Sequence, residues 1–313
     1  MVSSTNHKLA VINFSKEKVG LESSWAATRD EVVAAMEEYG CFVALYDNVS
    51  SQLHEEIFES LKQLFDLPTS TKVLNKSVKP LFGYVGGIPL VPLYESLGID
   101  NPNTLEGIQN FTKVMWPEGN DSFRETLLTY AKSQVELEQM VMQMIFEKYG
   151  VEKYLESYKK VFSYLTRVQK YRSPKENESN LAFVSHTDKS FMSIVHQHQY
   201  NGLEIRAKDG EWFNVDLTPS SFVVMAGDAI MAWSNNKITS AHHRVIMEEK
   251  GPRFSIAQFS FVEGIVETPE EFIDEEHPLQ YKSFDHIEFL RFYAKPENLK
   301  QKHELPLKVY CGV

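Results

Sequence analysis

Residues 181–216 read LAFVSHTDKSFMSIVHQHQYNGLEIRAKDGEWFNVD, and the grain of this stretch decides the fold. Apolar and β-branched residues come in short runs, Ala182 to His186, Phe191 to His198, Leu203 to Ala207 and Trp212 to Asp216, each bounded by turn-forming residues. Lys208, Asp209 and Gly210 join the last pair of runs as a hairpin turn with glycine available for positive φ. The same pattern continues on both sides, at Ser163 to Tyr171 upstream and at Ser221 to Met225, Ala241 to Met247 and Arg253 to Val262 downstream. Short strands in series, with no helical period between them, predict a closed sandwich, for which a jelly roll is the economical arrangement.

Upstream of about residue 160 the period changes. Val32, Val33 and Met36 share one helical face, and Gly40 follows Tyr39 where a glycine ends a helix. A buried strand, Cys41 to Tyr46, comes next. Leu53, Ile57, Leu61 and Leu64 then mark an amphipathic helix stopped at Pro68. A third helix is expected over Ser122 to Tyr149, with Leu137, Met140, Val141, Met144 and Ile145 as a core stripe. Lys79 to Leu93, KPLFGYVGGIPLVPL, has neither period and reads as a loop that could serve as a lid. Helical spacing returns from Asp285 to Tyr293.

Composition excludes several classes. With 313 residues, 42% hydrophobic and 24% charged, the chain can build a sizeable core and lacks the bias of disordered or collagenous sequences. The net charge of −11 argues against nucleic acid and anionic membrane as partners, since both attract basic surfaces. No run approaches the ~20 apolar residues of a membrane span. Met1 to Lys8 is polar, so a cytoplasmic location is expected. Cys41 and Cys311 lack metal-type spacing and are expected as buried thiols.

The chemistry lies in the strand-rich half. His186 and Asp188 alternate along a strand, which brings imidazole and carboxylate to one face within reach of one metal. His243 is a third donor. Two histidines and one carboxylate leave coordination positions open, as non-haem Fe(II) oxygenases require. Arg253 and Ser255 are again cofacial, and a guanidinium fork beside a hydroxyl is suited to a carboxylate. Three decoys are set aside. His196 and His198 also share a face but have no spaced carboxylate; His242 points away from His243; Asp228, after Gly227, reads as a turn at a strand end. Phe259 continues the inward face of Arg253 and Ser255. Together with Phe191, Tyr84 and Phe289, Phe292 or Tyr293 of the tail, it could line an aromatic cavity for a compact substrate.

The order H-x-D, distal His, R-x-S resembles the plant Fe(II)/2-oxoglutarate-dependent dioxygenases. LAVINFS at Leu9, YGCFVALYDNV at Tyr39 and LFDLPTSTK at Leu64 are similar to that family's N-terminal stretches. ESLGIDNPNTLEGIQNFTKVMWP, Glu95 to Pro117, with HTDKSF, is similar to the branch containing the glucosinolate side-chain dioxygenases. Ala10 and Asn13 replace the commoner Pro and Asp, and Gln169 stands where many members have Asn. The resemblance implies a mainly β fold with flanking helices: a double-stranded β-helix (jelly roll) core, a helical N-terminal region and a C-terminal helix. Residues 1–160 would pack on a core at 161–265, with 266–313 as helix and tail, folded as one unit. It further implies His186, Asp188 and His243 as ligands of Fe(II), and Arg253 and Ser255 as the anchor for 2-oxoglutarate. Tyr171 matches the family's co-substrate tyrosine, though in YRSP rather than Y-P. O2 would be the oxidant, ascorbate the reductant and a small specialised metabolite the substrate, with no obligate protein partner. A binding protein without turnover, and a zinc or nickel isomerase of cupin type, are the competing readings.

Overall fold

The computed structural model describes residues 7–248, 251–300 and 306–313. Two sheets face each other. The larger has seven strands in the order β1 (Val11–Asn13), β2 (Cys41–Leu45), β9 (Ser221–Ala226), β6 (Met192–Gln197), β11 (Arg253–Val262), β4 (Phe162–Tyr171) and β3 (Tyr94–Asp100). The smaller has β5 (Leu181–His186), β10 (His243–Ile246), β7 (Leu203–Arg206) and β8 (Trp212–Asn214). All of these neighbours are antiparallel except β1 and β2.

Alternation along the strands sorts their side chains between two cores. Inward, Cys41, Val43, Val195, Val223, Met225 and Ala257 meet Leu203, Ile205 and Val215 of the smaller sheet's side. Outward, Phe42, Ala44, Ile194, Phe222, Val224 and Ile256 meet the helices. Both faces of the larger sheet are therefore apolar, as a sheet covered on both sides requires. The helices over that outer face follow the expected periods. Glu22–Glu38 buries Val32, Val33 and Met36. Gly40 then turns the chain with φ of +69°, where a Cβ would stand 2.1 Å from the Thr239 carbonyl oxygen. Ser50 caps Ser51–Asp66 by accepting from the Leu53 N–H, and Asn120 caps Asp121–Lys148 by accepting from the Phe123 N–H. On the long helix Leu137, Val141, Met144 and Ile145 are fully buried, and Met140 packs at their margin. Cys41 and Cys311 are buried free thiols.

The structure differs from the expected division at residue 160, because β1, β2 and β3 all come from before that point and complete the larger sheet. Two further elements, β3 and the helix Leu105–Met115, occupy Glu95 to Met115, a stretch whose period was masked by its glycines and asparagines. Lys79 to Leu93 is a loop, whose backbone meets β3 at a bridge between Val85 and Ser96.

One buried carboxyl sets a pH dependence. Glu138 of the long helix faces Gln258 and Ser260 on the outer side of β11, and burial pushes its pKa up to about 7. In the unfolded chain it titrates near the ordinary 4.5, so the fold holds a proton that the unfolded chain has released. The contribution is complete below pH 4.5 and is lost as pH rises through 7. Glu138→Gln is expected to remove this slope, worth about 3 kcal/mol between the two limits. Urea unfolding of both proteins at pH 5 and pH 8 measures it, and identical pH dependence would refute it.

Candidate active site

His186 ends β5 and His243 begins β10, and the two are register partners across the smaller sheet. Pairing puts both rings on the inner face, with centroids 4.1 Å apart. Asp188 follows two residues after β5. Its Oδ1 lies 3.6 Å from His186 Nε2 and 3.9 Å from His243 Nε2. Each imidazole is oriented from behind: His186 Nδ1 stands 2.9 Å from the Val184 carbonyl oxygen and His243 Nδ1 stands 3.1 Å from that of Ala241. An Nδ1–H donated there leaves the Nε2 lone pair facing Asp188, which is how metal-ligating histidines are usually held. Asp188 Oδ2 accepts from Ser193 Oγ at 2.6 Å, fixing the carboxylate and leaving Oδ1 for the histidines' side. Burial, followed by the neighbouring His243, holds the His186 pKa well below the usual imidazole value, so this ring is the neutral ligand form. The three donors can hold one divalent ion.

Arg253, at the start of β11, is 1% exposed. Nη1 donates to Ser255 Oγ at 3.1 Å and Nη2 to Gln197 Oε1 at 2.9 Å, while Nε has no hydrogen-bond partner among the described residues. Ser255 Oγ in turn donates to Gln169 Oε1 at 2.9 Å. Tyr171, register partner of Arg253, lies under the guanidinium at 5.1 Å from its ring centroid. Among the described residues no carboxylate pairs with Arg253. A buried charge with only neutral neighbours is costly, so the geometry is that of a receptor for an anion. Gln169 and Gln197 had not been singled out as partners of the clamp. Both are register partners of Ser255 in the flanking strands, a relation that only strand pairing reveals.

Phe259 is half-buried on the inner face and pairs in register with Ser193, the residue that holds Asp188. The other proposed wall residues lie elsewhere. Phe191 precedes β6, where strand alternation does not yet apply, and it is fully buried among Tyr158, Phe162 and Trp233 on the helical side. Tyr84 donates its hydroxyl to Glu95, which alternates with inward-facing Tyr94 and so lies on the outer side of β3. Phe289 and Phe292 pack on Tyr310, leaving Tyr293 of the tail 5.0 Å below Lys189 Nζ. An inward arginine missed by the sequence reading, Arg167, donates to Ser96 Oγ and to the carbonyls of Leu81 and Gly83, and so fastens the loop to the barrel. Its signal was the same two-residue spacing, one step before Gln169 on β4.

His242 faces outward, with Nδ1 3.2 Å from Ser185 Oγ. Asp228 is not a turn residue: it begins the helix Asp228–Trp233, and its N–H donates to the Asp188 carbonyl at 2.8 Å. Its buried carboxylate pairs with Lys189 Nζ at 2.7 Å and accepts from Ser240, bracing the loop that carries Asp188. A surface cavity of about 520 Å³ lies between Asn75, Phe82, Gly98 and Phe111, and contains none of the site residues.

The sequence pattern of the 2OG-Fe(II) oxygenase superfamily matches residues 162–261, and that of the non-haem dioxygenase in morphine synthesis N-terminal family matches residues 9–88. A probable 2-oxoglutarate-dependent dioxygenase AOP1.2 of Arabidopsis thaliana is 41% identical over 299 residues, 93% of this chain and 92% of that protein. The chain belongs to the 2OG-Fe(II) oxygenase superfamily. It is a 2-oxoglutarate-dependent dioxygenase that acts on a small molecule. Among solved structures, the Arabidopsis thaliana dioxygenase for auxin oxidation 1, as its 2-oxoglutarate complex, superposes with TM-score 0.79 at 28% identity, covering 87% of this chain and all of that one. The rice dioxygenase for auxin oxidation gives 0.81 at 25% identity, covering 98% of this chain and 100% of that one. The jelly roll is thus the superfamily's own. No helix among the described residues is long and apolar enough to cross a membrane.

Proposed function

We propose that this oxygenase oxidises a C–H bond of a specialised plant metabolite, with His186, Asp188 and His243 holding Fe(II) and Arg253 and Ser255 holding the distal carboxylate of 2-oxoglutarate. The observation that carries this reading is a three-donor metal face and, on the same inner side of the barrel, a buried guanidinium paired with no carboxylate among the described residues. When iron and co-substrate are bound they supply oxidation by O2, with 2-oxoglutarate leaving as succinate and CO2 and with ascorbate as reductant. The chain's residues supply position. Val184 and Ala241 carbonyls aim the two imidazoles, and Ser193 restrains Asp188. Gln169 and Gln197 hold the clamp, with the Tyr171 ring packed beneath it. Hydroxylation, dealkylation, desaturation and ring closure would all begin with removal of a hydrogen atom from a substrate carbon, and the position in which the substrate is held would select among them. Fe(II)-dependent release of succinate, screened over plant phenolics, alkaloids, terpenoids and glucosinolates, tests the reading. Retention of 2-oxoglutarate with no succinate formed on any substrate would favour the binding protein instead.

Phe259 is assigned to the substrate wall. Phe259→Ala is expected to lower or redirect product formation while slow, substrate-independent succinate release continues, because the metal donors and Arg253 are untouched. A purely packing role predicts a loss of about 3–5 kcal/mol of stability, with both activities falling together. Succinate, product and melting temperature measured on this variant separate the two roles.

A further inference from the structure

We propose a second divalent-metal site, formed by His54, Glu55 and His198, on the outer side of the larger sheet and separate from the iron donors. The helix Ser51–Asp66 lies across the end of β6, and the two elements bring these residues together although His198 is far from the other two in sequence. His54 Nε2 stands 3.9 Å from Glu55 Oε1, and His198 Nε2 stands 3.7 Å from Glu55 Oε2. These separations are too long for hydrogen bonds. At the iron donors one oxygen, Asp188 Oδ1, stands 3.6 and 3.9 Å from the two histidines, whereas here each Glu55 oxygen faces one imidazole. The ligand atoms of all three residues lie within 4.8 Å of one another, and ligand atoms at zinc's usual bond lengths in a tetrahedron lie about 3.3 Å apart, so the ion would draw them together, chiefly by movement of Glu55.

The imidazoles are held as ligands are held. The side chain of His54 is only 2% exposed, and its Nδ1 lies 3.1 Å from His196 Nε2. His196 is braced by the Tyr130 hydroxyl at 2.8 Å and the Pro219 carbonyl at 2.9 Å, and Gln134 donates to Tyr130. With His196 protonated on Nδ1, toward the Tyr130 oxygen, His54 donates its Nδ1–H to His196 Nε2 and the Pro219 carbonyl, and its Nε2 lone pair is left directed at Glu55, as outer partners arrange in metal sites. The His198 ring stacks on Phe58 with centroids 5.0 Å apart, its side chain is 7% exposed, and its backbone N–H is fixed to the Phe254 carbonyl. Burial lowers the pKa of both His54 and His198, which favours the neutral, coordinating form. Glu55 is 71% exposed, so its carboxylate can move the remaining distance and an ion can enter from solvent. The carboxylate that His196 and His198 lacked along their own strand is thus supplied by the helix.

Two imidazoles and one carboxylate, with water as fourth ligand, suit zinc and its borderline neighbours cobalt, nickel and copper better than magnesium or calcium. The ion would clip the helix to β6 beside Gln197, whose side chain holds Arg253 on the opposite face.

The test uses the full chain, free of any affinity tag, dialysed against buffered micromolar zinc. With the iron donors disabled by His243→Ala, one zinc per chain is expected to remain. Adding His198→Ala or Glu55→Gln should remove it or weaken it at least tenfold. Glu55 is exposed, so its variant should fold normally and any loss should report coordination. Cobalt in place of zinc should give the visible absorption of a site of low coordination number in His243→Ala, absent from the double variants. His198→Ala alone should keep 2-oxoglutarate-dependent turnover. No zinc retained by His243→Ala, or zinc retained undiminished after His198→Ala and Glu55→Gln are added, would overturn the assignment.

Discussion

His243→Ala is expected to abolish iron-dependent succinate release while His242→Ala retains it, although the two residues are adjacent. The strand decides this. His243 pairs with His186 and turns inward, where its Nε2 shares Asp188; His242 turns outward to Ser185. Removing an outer partner of a metal ligand typically costs 10- to 100-fold in affinity. Removing one of the three proposed protein ligands should cost more than about a hundredfold, enough to empty the site at micromolar iron. His243 is 6% exposed, so the variant also leaves a small cavity, and its melting temperature must be compared with that of His242→Ala. Iron content after dialysis, measured with succinate release, gives the result. Full activity and full iron occupancy in His243→Ala would overturn the ligand assignment.

What the sequence made legible is what short periods encode. Two-residue alternation put Arg253 with Ser255 on a shared face, and the structure keeps them in hydrogen-bond contact, whereas Asp188 stands beyond the end of β5 and meets His186 from the following loop. Helical spacing located the helices over the outer core, Glu22–Glu38, Ser51–Asp66 and Asp121–Lys148, the last to within one residue at each end. What stayed hidden depends on pairing between distant segments. Gln197 and Gln169 join the clamp only because β6 and β4 flank β11 in one particular register. Phe191 has the parity of an inward residue, but it stands before β6 begins, so the parity misleads. The helix Asp228–Trp233 is six residues long, too short to display a period, and its first residue therefore read as a turn. Lys189 and Asp228 make the same point energetically: two charged residues, 39 positions apart, are each tolerable in the interior only because the fold pairs them at 2.7 Å.

Arg253→Lys is expected to raise the apparent KM for 2-oxoglutarate by about 10- to 150-fold, corresponding to the ~1.5–3 kcal/mol of a hydrogen bond to a charged group. Lysine keeps the positive charge but not the planar fork. In the structure that fork gives one donor to Ser255 and another to Gln197, leaving Nε and the remaining guanidinium hydrogens for an incoming carboxylate. An ammonium on a shorter stem cannot serve all three directions. Iron binding should be unchanged, because none of the metal donors touches Arg253. Arg253→Met separates anchoring from packing. A structural arginine would take stability with it when removed. A guanidinium that is buried and awaiting an anion burdens the free protein, so its replacement by an apolar side chain of similar length should leave the melting temperature without 2-oxoglutarate equal to or above that of the wild type. Saturating 2-oxoglutarate should then raise the melting temperature of the wild type and not of Arg253→Met, since a ligand stabilises only the state that binds it. An unchanged KM in Arg253→Lys, or a co-substrate-induced rise that survives in Arg253→Met, would place the carboxylate elsewhere in the barrel.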